Sequence, residues 1–179
     1  MMGGGVTFEA FSFSYILFVL VQVSLTFIYS YFLEWAFHIL LHDRKKFFSG
    51  FKHHFGVHHK NSRKNTMYDE SYKNPLSGSS IFEPISLTLL LAAHIPILFF
   101  FPVVYAALIL CMCLYYYKHR KSHLDIEWGA KNMPWHYEHH MGKDQHKNWG
   151  VRTNLIDIIF KTNTEYITVK NRESKFKNE

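Results

Sequence analysis

The sequence predicts an all-α fold, a multi-pass membrane protein of about three apolar segments with a helical, His-rich cap on one face. Three observations predict it. Basic residues are missing from two long stretches, those stretches have the length of membrane helices, and histidines recur at helical spacing just beyond them.

No Lys or Arg precedes Arg44, and none lies between Lys73 and Lys118. Residues 11–33 are apolar and aromatic, with a few Ser, Thr and Gln. At ~1.5 Å per residue, that run spans a hydrocarbon core of ~30 Å. Within 81–117 the only charged residue is Glu83, near the start. One crossing takes about 20 residues, so this stretch suits two helices back to back. Pro96 and Pro102 flank Ile97–Phe101. Proline inside a helix removes a hydrogen bond and breaks it, which predicts helices near 81–96 and 100–117 with the turn between them.

This topology puts all 20 Lys and Arg on one face, the cytosolic one by the positive-inside tendency. A re-entrant hairpin over 81–117, entering and leaving by the same face, gives the same charge distribution. Membrane topology accounts for the net charge of +6, and no nucleic-acid partner is expected. The first ten residues carry no basic residue, and the apolar run leads into Glu34-Trp35 without a small-residue cleavage site. A membrane helix is therefore expected there rather than a cleaved signal peptide. The chain, 179 residues long, fits a single domain, with a flexible polar tail at 164–179. Cys111 and Cys113, inside an apolar run, read as packing thiols and build no disulfide framework.

Twelve of the thirteen histidines follow closely on the apolar segments. His94, the exception, falls near the predicted turn and reads as an interfacial residue. His38-x3-His42 and His119-x3-His123 each set two imidazoles one helical turn apart on one face. His136, His139 and His140 cover an arc of about 100° on a helix, and His54, His58 and His59 about 140°. Neutral imidazole is the commonest metal ligand, and ten nitrogens in four clusters on one face suit two ions better than one. No thiolate accompanies them, which excludes structural zinc of the Cys-rich kind. All-imidazole sites suit iron, zinc, copper and nickel alike. Apolar helices leading to the site suit a lipid substrate. Oxidising an unactivated C–H bond with O2 needs a redox metal, which favours two iron ions, with zinc able to replace them in a purified sample.

These residues resemble the fatty acid hydroxylase/sterol desaturase superfamily of integral-membrane di-iron enzymes. The resemblance runs from Glu34 to Thr162. Its boxes are Glu34-Trp-Ala-Phe-His38-Ile-Leu-Leu-His42-Asp43, His54-Phe-Gly-Val-His58-His59, His119-Arg-Lys-Ser-His123 and Pro134-Trp-His136-Tyr-Glu-His139-His140. Asn148-Trp149-Gly150 and Asp157-Ile-Ile-Phe160-Lys-Thr162 close it. The resemblance implies an O2-dependent lipid hydroxylase whose metal ligands are His38, His42, His54, His58, His59, His119, His123, His136, His139 and His140. It implies a lipid substrate, a fatty acyl chain or a sterol-like molecule. An external electron donor of the cytochrome b5 or ferredoxin type is also implied, since the chain carries no such domain. Asp157, Asn148 and Asp125 are expected behind the ligands, hydrogen-bonded to their free ring N–H groups.

Three departures stand out. Three residues, where the family usually has two, separate His54 from His58, so His53 competes with His54 as ligand. Lys161 replaces a common Gly. One membrane helix precedes the first box, so a homodimer could complete the lipid-facing wall. The expected location is the endoplasmic reticulum in a eukaryote or the cytoplasmic membrane in a bacterium, with the boxes on the cytosolic face. Within the class, desaturation or carotenoid ring hydroxylation are alternatives. A His-rich metal transporter or buffer is the alternative outside it, although a transporter would set its ligands within the spans.

Overall fold

The computed structural model describes residues 8–74, 76 and 78–165, and among them it is helical without a strand. Of the tail expected at 164–179, residues from 166 onward lie outside the described residues. Helix α1 (Phe8–Leu41) is the long element. Its segment Phe13–Leu41 is long and apolar enough to cross a membrane, and only 11% of its most apolar stretch is buried within the chain. Little of α1 therefore serves a protein core; its apolar surface faces outward, as a lipid-facing helix requires.

The chain next runs through α2 (Phe48–His53), a π-helical turn (His54–His59) and α3 (Lys60–Lys64). Two 3-10 turns, Glu70–Lys73 and Gly78–Ile81, lead to the apolar hairpin. That hairpin has three helices where two were expected. It consists of α4 (Phe82–Ala93), a short α5 (Ile95–Phe100) and α6 (Pro102–Leu124). The reason is that both prolines start helices: Pro96 sits in the first turn of α5 and Pro102 in that of α6. One tight turn becomes two corners, at His94 and Phe101. The 12 residues of α4 cover ~18 Å, well short of a ~30 Å core. His94 lies at the first corner and hydrogen-bonds Tyr29 of α1 (2.9 Å), nine residues before His38. The corner is thus ~14 Å of helix rise from the histidines, while α1 continues far beyond it.

Three short helices complete the cap: α7 (Ile126–Asn132), α8 (Pro134–Met141) and α9 (Leu155–Phe160). α1 and α6 pack together and both end at the histidines. Among the largest fully buried side chains, His59, His119, His123, His136, His139 and His140 sit beside Met67, Leu108, Met133 and Val151. The centre of the cap is imidazole rather than hydrocarbon. So many polar rings out of water need partners, and those partners define the site.

Candidate metal centre

Ten histidines from α1, the π turn, α6 and α8 are buried together. Nine of them offer nitrogens in two compact groups. His38, His42, His54, His59 and His139 form one, and His58, His119, His123 and His140 the other; within each, the ligand atoms lie within 4.8 Å of one another. His136 stands beside the second group, its ring 4.6 Å from that of His140 and 4.9 Å from that of His119, but outside that mutual reach.

In the first group the Nε2 atoms face each other: His38 to His54 at 2.8 Å, His42 to His59 at 3.1 Å, His139 to His59 at 3.2 Å and His59 to His54 at 3.3 Å. The opposite nitrogens are already committed. Nδ1–H of His38 donates to Trp149 O (2.6 Å), that of His139 to Lys147 O (2.6 Å) and that of His59 to Gln145 Oε1 (2.9 Å). A neutral imidazole carries one proton, so the Nε2 atoms of these three rings present bare lone pairs to one another. Lone pairs at such separations repel unless a cation sits among them. At a metal–nitrogen distance of ~2.1 Å, ligands at right angles lie about 3.0 Å apart, which matches the spacings found. The donor set fits a transition-metal ion.

The second group is built the same way. Nδ1–H of His123 donates to Met67 O (2.8 Å), that of His58 to Asp69 Oδ2 (3.1 Å) and that of His119 to Glu83 Oε1 (2.7 Å). The Nε2 atoms of His58, His119 and His140 are buried without a hydrogen-bond partner among the described residues. Three orphaned nitrogens pointing into one space again fit an ion. Burial, reinforced by neighbouring imidazoles, pushes the proton affinity of His54, His59, His136, His139 and His140 well below the usual range. His58 is also lowered by burial, with Asp69 partly offsetting it. These rings are neutral at pH 7, the state that ligates metal.

The π turn explains the unusual second box. On an α-helix His54 and His58 would share a face. Here the extra residue is absorbed as a π turn, which brings i and i+5 together. His54 joins His59 in the first group, and His58 turns to the second. His53 stacks on Phe82 (4.8 Å, 9° between planes) and belongs to neither. His146 is exposed at the rim, its ring 5.4 Å from that of His42.

The three residues expected behind the ligands do other work. Asp125 caps α7 by accepting from Trp128 N (3.1 Å), because it falls at the helix start rather than on the histidine face. Asn148 takes a left-handed backbone (φ 57°), bonds Thr164 through both side-chain atoms, and so turns the chain that presents Trp149 O to His38. Asp157 accepts from Trp149 N (2.9 Å), Gly150 N (2.7 Å) and Thr162 Oγ1 (2.6 Å). It clamps the backbone that holds His38 and does not itself touch an imidazole. Gly150 is required because a Cβ there would run into Thr153 O.

Sequence reasoning missed the actual partners, Asp69, Glu83 and Gln145. Glu83 had a signal, as a single charge in an apolar stretch that had to find a partner. It also missed the tie between the first box and the closing loop. Glu34, its side chain shielded from solvent, accepts from Val151 N (2.7 Å), Arg152 N (2.6 Å) and Arg152 Nε (2.7 Å).

Beneath the imidazoles lies a cavity of about 80 Å³ between α1, α4 and α6, reached by His38, His54, His58 and His119 and walled by Leu87, Leu90, Leu108 and Met112.

Neither a curated protein nor a solved structure matches the chain. The fatty acid hydroxylase family profile matches residues 23–162, which takes in all ten buried histidines. The chain belongs to the fatty acid hydroxylase family, within the fatty acid hydroxylase/sterol desaturase superfamily.

Proposed function

We propose that this chain is a membrane-bound di-iron oxygenase that hydroxylates a C–H bond of a lipid, a fatty acyl chain or a sterol-like molecule, at the membrane surface. One observation carries the reading: two converging sets of imidazole nitrogens lie at the head of an apolar cavity. Iron bound there would supply O2 activation with two electrons, the overall balance being C–H, O2, two electrons and two protons to C–OH and water. His38, His42, His54, His59 and His139 would hold one ion; His58, His119, His123 and His140, with His136 alongside, the other.

The protein's own contribution is positional. Leu87, Leu90, Leu108 and Met112 accept the hydrocarbon and exclude water. The hydrogen bonds to Nδ1 of His38, His58, His59, His119, His123 and His139 fix those tautomers so that Nε2 is left free to ligate. Electrons come from a separate carrier of the cytochrome b5 or ferredoxin type. α1 crosses the bilayer, and the short α4 supports a hairpin that dips in from the histidine face. The outer part of α1, where Phe13, Ile16 and Leu20 are all more than half exposed, is left for lipid or a second copy of the chain.

Lipid profiling of membranes containing the chain and a reductase tests the reaction. A new lipid one oxygen atom heavier, absent with His139→Ala, supports it. Loss of two hydrogens instead makes the enzyme a desaturase, and no change in any lipid overturns the reading. Labelling a cysteine placed at Phe99 from the far side of sealed vesicles tests the hairpin. Protection is expected, and ready labelling would restore two full crossings.

A further inference from the structure

The hydrogen-bond partners behind the imidazoles are not distributed evenly. Behind the five-histidine group they are neutral: Trp149 O, Lys147 O and Gln145 Oε1. Behind the second group, two of the three are carboxylates. Asp69 holds His58 at 3.1 Å, and Glu83 holds His119 at 2.7 Å. Both carboxylates are fixed in turn. Asp69 accepts from Ser71 Oγ (2.8 Å), and Glu83 accepts from Tyr72 OH (2.6 Å). Asp157 reaches His38 only through the Trp149 peptide.

We infer that the two metal positions are unequal by construction, the position at His58, His119, His123 and His140 being the one that fills first and releases its ion last. A carboxylate behind a ligating imidazole makes the ring a stronger donor and stabilises the positive ion in front of it. Losing such a partner typically weakens metal affinity 10–100-fold. Ligand number argues the other way, five against four. His136 redresses that count, since its Nε2 lies 3.3 Å from Nε2 of His123 in the second group. With the imidazoles balanced, the two negative charges decide. The same asymmetry makes the first position the easier one to reduce, because the partners behind His38, His59 and His139 are neutral and do not favour the higher charge. Glu83 and Asp69 are thus positioning residues, and both also line the cavity.

This inference rests on the metal-centre reading above, and Co2+ separates the two. Metal-free, detergent-solubilised full chain is titrated with Co2+ against a competing chelator. Two dissociation constants at least tenfold apart are expected. Glu83→Gln and Asp69→Asn should each weaken the tighter one 10–100-fold and leave the other alone, while His42→Ala should remove the weaker. The retained second ion shows that each variant is folded. Crystals of unaltered protein grown with one equivalent of Co2+ give a readout independent of any variant. Anomalous scattering should place the ion among His58, His119, His123 and His140. Equal constants, or a first ion among His38, His42, His54, His59 and His139, would overturn the inequality while leaving the metal centre standing. No bound Co2+ at all would remove both.

Discussion

Replacing Asp157 with Asn tests how the site is held without touching a ligand. Oδ1 of Asp157 serves Trp149 N and Thr162 Oγ1, and Oδ2 serves Gly150 N, all in a buried setting. Asn keeps the shape but offers one oxygen. Its NH2 group must face either Gly150 N–H or the other two donors, so at least one buried N–H is stranded, at about 1–3 kcal/mol. The remaining bonds fall from charged to neutral strength, roughly 1 kcal/mol each. The sum is about 3–5 kcal/mol of unfolding free energy, measured by denaturant titration in detergent. Because Trp149 also supplies the carbonyl for His38, the variant should bind metal more weakly at the five-histidine position, about 10-fold or more. Asp125→Asn, by contrast, alters only a helix cap and should change stability by less than about 1 kcal/mol. An Asp157→Asn protein within 1 kcal/mol (roughly the cap effect) of the unaltered chain would refute the clamp.

Other outcomes follow from the same geometry. Rings of His54, His59, His136, His139 and His140 are held neutral in the folded chain, so below about pH 6.5 the unfolded chain binds more protons. Stability of the metal-free protein should therefore be full above that pH and fall as the solution is acidified, and a flat profile from pH 7 to 5 would contradict the burial argument. Lys161 ends α9 in a left-handed conformation (φ 56°) and is exposed. Lys161→Gly should relieve that strain, offset in part by a more flexible unfolded chain, for a net gain of up to about 1 kcal/mol in denaturation. His53→Ala should keep both metals, whereas His54→Ala should lower affinity at one position; the reverse result would reject the π turn.

The long apolar helix and the His clusters were legible because their signals are local. An apolar run, a helical spacing and a box motif each live within a few residues of chain. His38-x3-His42 and His119-x3-His123 do share a group each, as one-turn spacing requires. Distribution of the remaining rings was not legible, because it depends on the π turn, whose extra residue looks in sequence like a misaligned box. The partners behind the ligands were missed for a different reason. Asp69 and Glu83 reach their histidines across 11 and 36 residues of chain, and no periodicity connects residues that meet only in the folded cap. Asp125 and Asp157 looked equivalent in sequence, two carboxylates near boxes. Only the backbone around them separates a helix cap from a clamp on Trp149 and Gly150. The short α5 within the hairpin was missed because Pro96 and Pro102 read as bracketing one turn, whereas each begins a helix.

Elemental analysis of the purified full chain tests the central claim most directly. The account predicts roughly two transition-metal ions per folded chain, one for each group of imidazoles, and roughly one when His42 is replaced by Ala. A folded, helical protein that holds none after purification and reconstitution with Fe2+ would contradict it.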